Sequence, residues 1–214
     1  MRCSVCSDPV RPVVAIDIDG TLGDWHLHFQ VFAEQWLGHT LTEYVVYDGS
    51  EPFREWFTRA YGVDVTTFRE IKLAFRQSGL KRTMPAHRDA KQAVARLRKH
   101  AEVWLTTTRP YNRYDRIDPD TVEWLRRNGI GHDGLLYDED KIKALCERVN
   151  KDRVVAVLDD EVDVLLGVPP GPTPILYCTV YNRKNTWVGA SVSTMAMAQN
   201  MINKLLVEWE RKHG

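Results

Sequence analysis

"PVVAIDIDGT" (12–21) is the stretch on which the reading of this chain turns. Val13, Val14, Ala15 and Ile16 are apolar at consecutive positions, so a strand here is buried on both faces, as in the middle of a parallel sheet. Asp17 and Asp19 follow two positions apart, and Gly20-Thr21 turns the chain. Asp is a poor strand residue. The pair therefore belongs at the mouth of the strand rather than in its ladder.

Two more segments have the same character: "AEVWLTTT" (101–108) and "RVVAVLDD" (153–160) are apolar runs that end in polar residues. "GLLYD" (134–138) and "TPILYCTV" (173–180) read as the remaining strands. Amphipathic stretches alternate with them. Asp89 to His100 carries Ala90, Val94, Leu97 and Ala101 on one stripe. Pro119 to Asn128 is expected to begin with Asp118 as its cap and to stop at Gly129. Asp140 to Asn150 groups Ile142, Leu145 and Val149, and a last helix near 194–212 is expected to bury Met197, Met201, Leu205 and Val207 or Trp209. Strand–helix alternation of this kind predicts an α/β fold with a mostly parallel sheet.

Residues 24–84 interrupt the alternation. They are rich in aromatics at helical spacing, and three helices fit at about 24–37, 52–60 and 65–78, with "VVYDGSEP" (45–52) as connector. Most of these aromatics are expected to pack together. Inserted directly after the first strand, the segment is expected to sit over that strand's end. The domain reading is thus a discontinuous core (10–23 and 85–180), a helical cap (24–84) and a C-terminal extension (181–214) whose last helix packs on the core.

The chain of 214 residues holds 29 Lys and Arg against 29 Asp and Glu, so no global field points to nucleic acid or membrane. Its apolar runs are too short to span a bilayer and "MRCSVCSD" lacks the apolar core of a secretion signal, so a cytoplasmic location is expected. Cys3 and Cys6 have zinc-knuckle spacing without a second pair, and reduced thiols are the expectation. His26 and His28 are expected to be ordinary cap or surface residues. Nothing in the sequence sets the oligomeric state.

In open parallel sheets, ligands bind at the carboxyl ends of the strands. Three such ends here supply Asp17 with Asp19, Thr106 to Thr108, and Asp159 with Asp160. Four converging carboxylates repel one another, and a hard divalent cation relieves that repulsion. The spacing of Asp17 and Asp19 suits a division of labour. Asp17 can attack phosphorus and become a phosphoaspartate, while Asp19 can protonate the leaving oxygen and later deprotonate water.

"DIDGT" (17–21), "TTTRP" (106–110), the lysine of "DEDKIKAL" (138–145) and "VVAVLDD" (154–160), in this order, resemble the four motifs of the haloacid dehalogenase phosphohydrolases. The resemblance covers residues 13 to about 165. It implies a Rossmann-like core, Mg²⁺ and a phosphoaspartyl intermediate. It makes Asp17 nucleophile and metal ligand, and Asp19 acid/base and metal ligand through its backbone carbonyl. Asp159 becomes the third protein ligand, with Asp160 beside it. Thr107, two before Arg109 as in the family's TxRP form, is the phosphate-binding hydroxyl, with Thr106 and Thr108 as neighbours. Arg109 joins it in substrate binding. Lys141, at the helix start, is taken as the phosphate-binding lysine, with Lys143 as the alternative. The presence of Asp19 favours phosphoryl chemistry over dehalogenation, because a departing halide needs no proton.

The cap's placement most resembles the 5′(3′)-deoxyribonucleotidases, which implies a small phosphorylated substrate, a nucleoside monophosphate, with Trp25, Phe29, Phe53 and Trp56 as candidates to stack on the base. The core also resembles the phosphatase half of polynucleotide kinases. Arg109, Arg113, Arg116, Tyr111 and Tyr114, with seven Lys and Arg against one Asp in 81–100, suit nucleic-acid ends as the alternative partner. A catalytically silent domain that binds a phosphorylated ligand is the third reading.

Overall fold

The computed structural model describes residues 10–38 and 47–213. Cys3 and Cys6, and the first two residues of the 45–52 connector, lie outside the described residues. Six parallel strands form one sheet in the order β3-β2-β1-β4-β5-β6. They are β1 (Val13–Asp17), β2 (Glu102–Thr107), β3 (Gly134–Tyr137), β4 (Val154–Asp159), β5 (Thr173–Tyr177) and β6 (Ala190–Val192). β6, at the sheet edge, lies in the 181–214 extension, where only a terminal helix was expected.

The switch in strand order falls between β1 and β4, and there the register pairs Ile16 with Leu158. The next residues, Asp17 and Asp159, are therefore neighbours across one strand spacing, about 4.8 Å. On the other side, Asp17 is in register with Thr106 of β2. Sheet pairing thus brings together residues up to 142 positions apart in sequence.

Alternation along the central strands divides their apolar side chains between two layers. Val14 and Ile16 pack with Val94, Leu97, Trp124 and Ile202 on one face, and Val13 and Ala15 pack with Ile142, Leu145 and Val157 on the other. The flanking helices are α4 (Ala90–Leu97), α5 (Ile117–Asn128), α6 (Lys141–Arg148), α7 (Val162–Leu166) and α8 (Met195–His213). α5 starts before Asp118, at Ile117, with Arg116 as its cap residue. Asp118 instead accepts a hydrogen bond from the Tyr137 hydroxyl at 2.9 Å. α8 buries Met195, Ala198, Ile202 and Leu206, whereas Met197 and Val207 are exposed and Met201, Leu205 and Trp209 flank the seam. The stripe is one residue out of phase with the expected one.

After β1 the chain turns tightly at Gly20 and forms bridges from Asp19 to Gly23 and from Gly23 to Ala86. It leaves the sheet and returns to it at adjacent points. Between them lie α1 (Trp25–Leu37), α2 (Phe53–Tyr61) and α3 (Val65–Gln77), whose Phe29, Trp56, Phe57, Phe68 and Phe75 share an aromatic cluster. Asp24 and Asp64 cap α1 and α3 by accepting from Leu27 and Thr67 N–H, as short polar residues do at helix starts. No described helix is long and apolar enough to cross a membrane. Cys146 and Cys178 are free thiols.

Candidate active site

The carboxylates of Asp17, Asp159 and Asp160 each offer an oxygen within 4.8 Å of the others, and all three are buried. Lys141, the first residue of α6, inserts between two of them: its Nζ donates to Asp17 Oδ1 at 2.5 Å and lies 2.7 Å from Asp159 Oδ2. Helix phase sets the two candidate lysines apart. Lys141 is buried at the sheet ends, and Lys143 points to solvent.

Burial, and then the charges of Asp159 and Asp19, push Asp17 up to about 7 against the pull of Lys141. Asp159 and Asp160 are also raised, chiefly by burial. Burial by itself would lower Lys141, but Asp17 and Asp159 hold its ammonium above the usual lysine range. Three carboxylates and one lysine leave the cluster short of positive charge. Asp17 Oδ2 is buried without a hydrogen-bond partner. An orphaned carboxylate oxygen in an all-oxygen donor set fits a hard divalent cation such as Mg²⁺.

Asp160 is fixed from two sides. Its Oδ1 accepts from the Thr21 hydroxyl at 3.1 Å, and its backbone carbonyl accepts from Asn182 at 2.9 Å. Gly20 makes this possible: its φ of 101° suits glycine, and a Cβ there would stand 2.1 Å from Asp160 Oδ2.

The Asp19 side chain lies outside the acidic trio. It accepts from Arg109 at both oxygens and from Lys81 Nζ at 2.8 Å. Burial would raise Asp19, but Arg109 and then Lys81 hold it well below the usual carboxylate range. Lys81 is itself brought down to about 7, first by burial and then by Arg109. Of the threonines, Thr106 and Thr107 are buried and Thr108 is exposed. The Thr107 hydroxyl accepts from Arg109 N–H at 3.2 Å, while Thr106 Oγ1 has no partner.

A cleft of about 190 Å³ runs between the sheet ends and the helices α1–α3, lined by Asp19, Arg109, Lys81, Lys72 and Arg76 and by the rings of Trp25, Phe53 and Phe75. Of the four aromatics expected to stack on a base, Trp25 and Phe53 face this cleft. Phe29 and Trp56 are buried in the aromatic cluster instead. His26, expected to be unremarkable, lines the same cleft, stacks on Tyr47 and Tyr181, and is pushed down to about 4 by burial. The basic stretch 81–100 does not form one patch. Lys81 is buried on Asp19, Arg82 pairs with Asp120 at 2.5 Å, and Arg98 pairs with Asp133 at 2.7 Å. Sequence reasoning missed Lys81, Glu161 and Asn182, which carry no local motif; only the basic bias of 81–100 touched Lys81.

No protein-family model matches the chain, and no curated protein matches it by sequence. Solved structures do match. A protein described as a predicted phosphatase from Clostridium acetobutylicum aligns over 91% of this chain and 99% of its own, with a TM-score of 0.66 and 14% identity. A haloacid dehalogenase-like hydrolase from Streptococcus pneumoniae aligns over 90% and 98%, with a TM-score of 0.60 and 10% identity. CbbY from Rhodobacter sphaeroides, solved with xylulose-1,5-bisphosphate, aligns over 87% and 95%, with a TM-score of 0.56 and 17% identity. The fold of this chain is that of the haloacid dehalogenase-like hydrolases, with a buried acidic trio at its strand ends.

Proposed function

We propose that this protein is a Mg²⁺-dependent phosphomonoesterase that works through a phosphoaspartate on Asp17, with (deoxy)nucleoside monophosphates as its substrates. The observation that carries the reading is the setting of Asp17: Asp159 and Asp160 share its pocket, and Lys141 is hydrogen-bonded to it at 2.5 Å. A neighbour of the same fold holds a phosphorylated sugar, which supports a phosphate ester as ligand. Residues 24–84 act as a cap over a core of 10–23 and 85–180, and Trp25 and Phe53 give the nucleobase its stacking surface.

Asp17, Asp159, Asp160 and the backbone carbonyl of Asp19 would hold the metal. Bound there, it supplies the charge neutralisation that lets a phosphate dianion approach three carboxylates. The chain's own residues do the rest. The Thr107 hydroxyl, Lys141 and Arg109 orient the phosphate, and the Asp17 carboxylate attacks phosphorus opposite the leaving oxygen. Lys141 stays on the reacting carboxylate and offsets charge on the equatorial oxygens. Asp19 begins ionised between Arg109 and Lys81. An incoming phosphate competes for Arg109, which relaxes that hold, so that Asp19 takes up a proton from solvent and passes it to the leaving oxygen. It then takes a proton from the water that opens the phosphoaspartate.

A loop cavity of about 340 Å³ beside the cleft, lined by Tyr111, Arg113 and Tyr137, favours a second reading, hydrolysis of 3′-phosphates on nucleic-acid ends. Arg113 is engaged with Glu139 at 2.6 Å, so it stays second. The test is a phosphate-release screen of mononucleotides, sugar phosphates and 3′-phosphorylated oligonucleotides, with and without Mg²⁺. Dominant activity on mononucleotides is expected, and dominance of oligonucleotides promotes the second reading. No release from any ester, p-nitrophenyl phosphate included, sinks both.

A further inference from the structure

Lys72 and Arg76 stand one turn apart on α3, and both line the cleft that contains Asp19. Neither forms an ion pair or hydrogen bond among the described residues. Their close neighbours are rings: Lys72 Nζ lies 5.6 Å from the Trp25 ring and 5.8 Å from that of Phe68, and the Arg76 guanidinium lies 5.9 Å from Tyr114. Like charges at i and i+4 destabilise a helix. Burial, and then Arg76, bring Lys72 down to about 8. The ring contacts offset part of that cost, but no carboxylate among the described residues pairs with either side chain.

The other cations of the cleft are already used. Lys81 and Arg109 hold Asp19. Glu161, also in the cleft, attracts Lys72 at longer range, but its own carboxyl is raised by burial and by Asp17. Four cations therefore face two carboxylates around an aromatic-walled cleft. We propose that Lys72 and Arg76 bind a second anionic group, a phosphate or a carboxylate, that the substrate carries beyond its scissile phosphate. The inference takes only the scissile phosphate from the phosphomonoesterase reading above, and it sets doubly anionic esters, such as nucleoside bisphosphates, ahead of plain nucleoside monophosphates. Charge-assisted contacts from a lysine and an arginine on one helix face are suited to such a group.

The test is calorimetric binding to the Asp17→Asn protein in Mg²⁺ buffer, with two matched pairs of ligands: adenosine 5′-monophosphate against adenosine 3′,5′-bisphosphate, and phenyl phosphate against 4-carboxyphenyl phosphate. The doubly anionic member of at least one pair should bind about tenfold tighter, and the pair that shows the gain identifies the group as phosphate or carboxylate. Lys72→Gln with Arg76→Gln should bring that ratio to within about twofold, and Lys72→Arg should preserve it. Equal affinities in both pairs, a ratio that survives the double substitution, or no binding of any ligand would overturn the inference. Phosphate release from p-nitrophenyl phosphate by the unsubstituted protein judges the hydrolytic reading separately. A protein that binds the doubly anionic ligands yet releases no phosphate keeps this site and loses that reading.

Discussion

Arg109 grips Asp19 with two arms of its guanidinium, Nε to Oδ2 at 2.8 Å and Nη2 to Oδ1 at 2.5 Å. One partner comes from the first strand's mouth and the other from the loop after β2, 90 residues on. Thr121 accepts from Nη1 of the same side chain at 2.8 Å, so the fork is fixed from behind. Planar two-point geometry of this kind is arginine's alone.

Arg109→Lys is therefore expected to fail. It restores the charge but not the fork, and kcat/KM should fall at least about tenfold. Arg109→Ala should in addition lower stability by about 3 kcal/mol, the lower end for breaking a buried pair, because Asp19 keeps some contact with solvent. Melting curves and steady-state kinetics check both. A fully active Arg109→Lys protein would contradict the role given to the fork.

Lys141 and Lys143 give a paired prediction. Lys141→Ala strands Asp17 and Asp159 without their shared cation, so metal-free stability should fall by roughly 3 kcal/mol and turnover by about a hundredfold or more. Lys143→Ala, on the exposed face of α6, should change stability by less than about 0.5 kcal/mol and leave turnover intact. Urea titrations and phosphate-release rates distinguish them, and equal effects would reject the assignment of Lys141.

Asp17 links metal to pH. Its value in the folded protein, about 7, lies above the ordinary carboxylate range. The folded state therefore holds a proton that the unfolded chain has released, and this contribution to metal-free stability declines as pH rises from about 4 to about 7. Mg²⁺ competes with that proton. The rise in melting temperature on adding Mg²⁺ should be larger at pH 8 than at pH 5.5, and EDTA should abolish it. An equal rise at both values would separate Asp17 from the metal.

Asp17→Asn should show the opposite signs of function and stability. Turnover should drop by at least about a thousandfold, since an amide does not form the phosphoaspartate. The metal-free protein should melt at the same temperature or higher at pH 8, because one of three crowded buried charges is gone. Loss of stability in this variant would show that the carboxylate cluster is not under the strain its setting implies.

Asp159→Ala should raise the Mg²⁺ concentration needed for half-maximal turnover by about tenfold or more while leaving the fold intact. Activity titrated against Mg²⁺ gives the answer, and an unchanged requirement would remove Asp159 from the ligand set.

Much of the site could be read from the chain because it sits where local periodicity stops. The apolar runs that end in Asp17, Thr107 and Asp159 mark strands whose last residues stand at the carboxyl ends of a parallel sheet, and that follows from the short unbroken runs themselves. The aromatic helices of 25–77 followed from a repeat of 3.6 residues. The short edge strand β6 did not, since three residues carry no period. Nor did the face of α8 that packs on the core, because its apolar residues permit two adjacent stripes.

The sequence by itself determined which side chains are available for chemistry and at which strand ends they stand. Tertiary structure alone decided their company. The Ile16–Leu158 register makes Asp17 and Asp159 neighbours, the phase of α6 brings Lys141 to Asp17, and the return from α3 delivers Lys81 to Asp19. Packing also decided that Trp25 and Phe53 face the cleft while Phe29 and Trp56 fill the aromatic cluster between α1, α2 and α3. Periodicity is a property of a few consecutive residues and is written in the chain. Register and packing depend on contacts between residues tens of positions apart, and those exist only once the chain has folded.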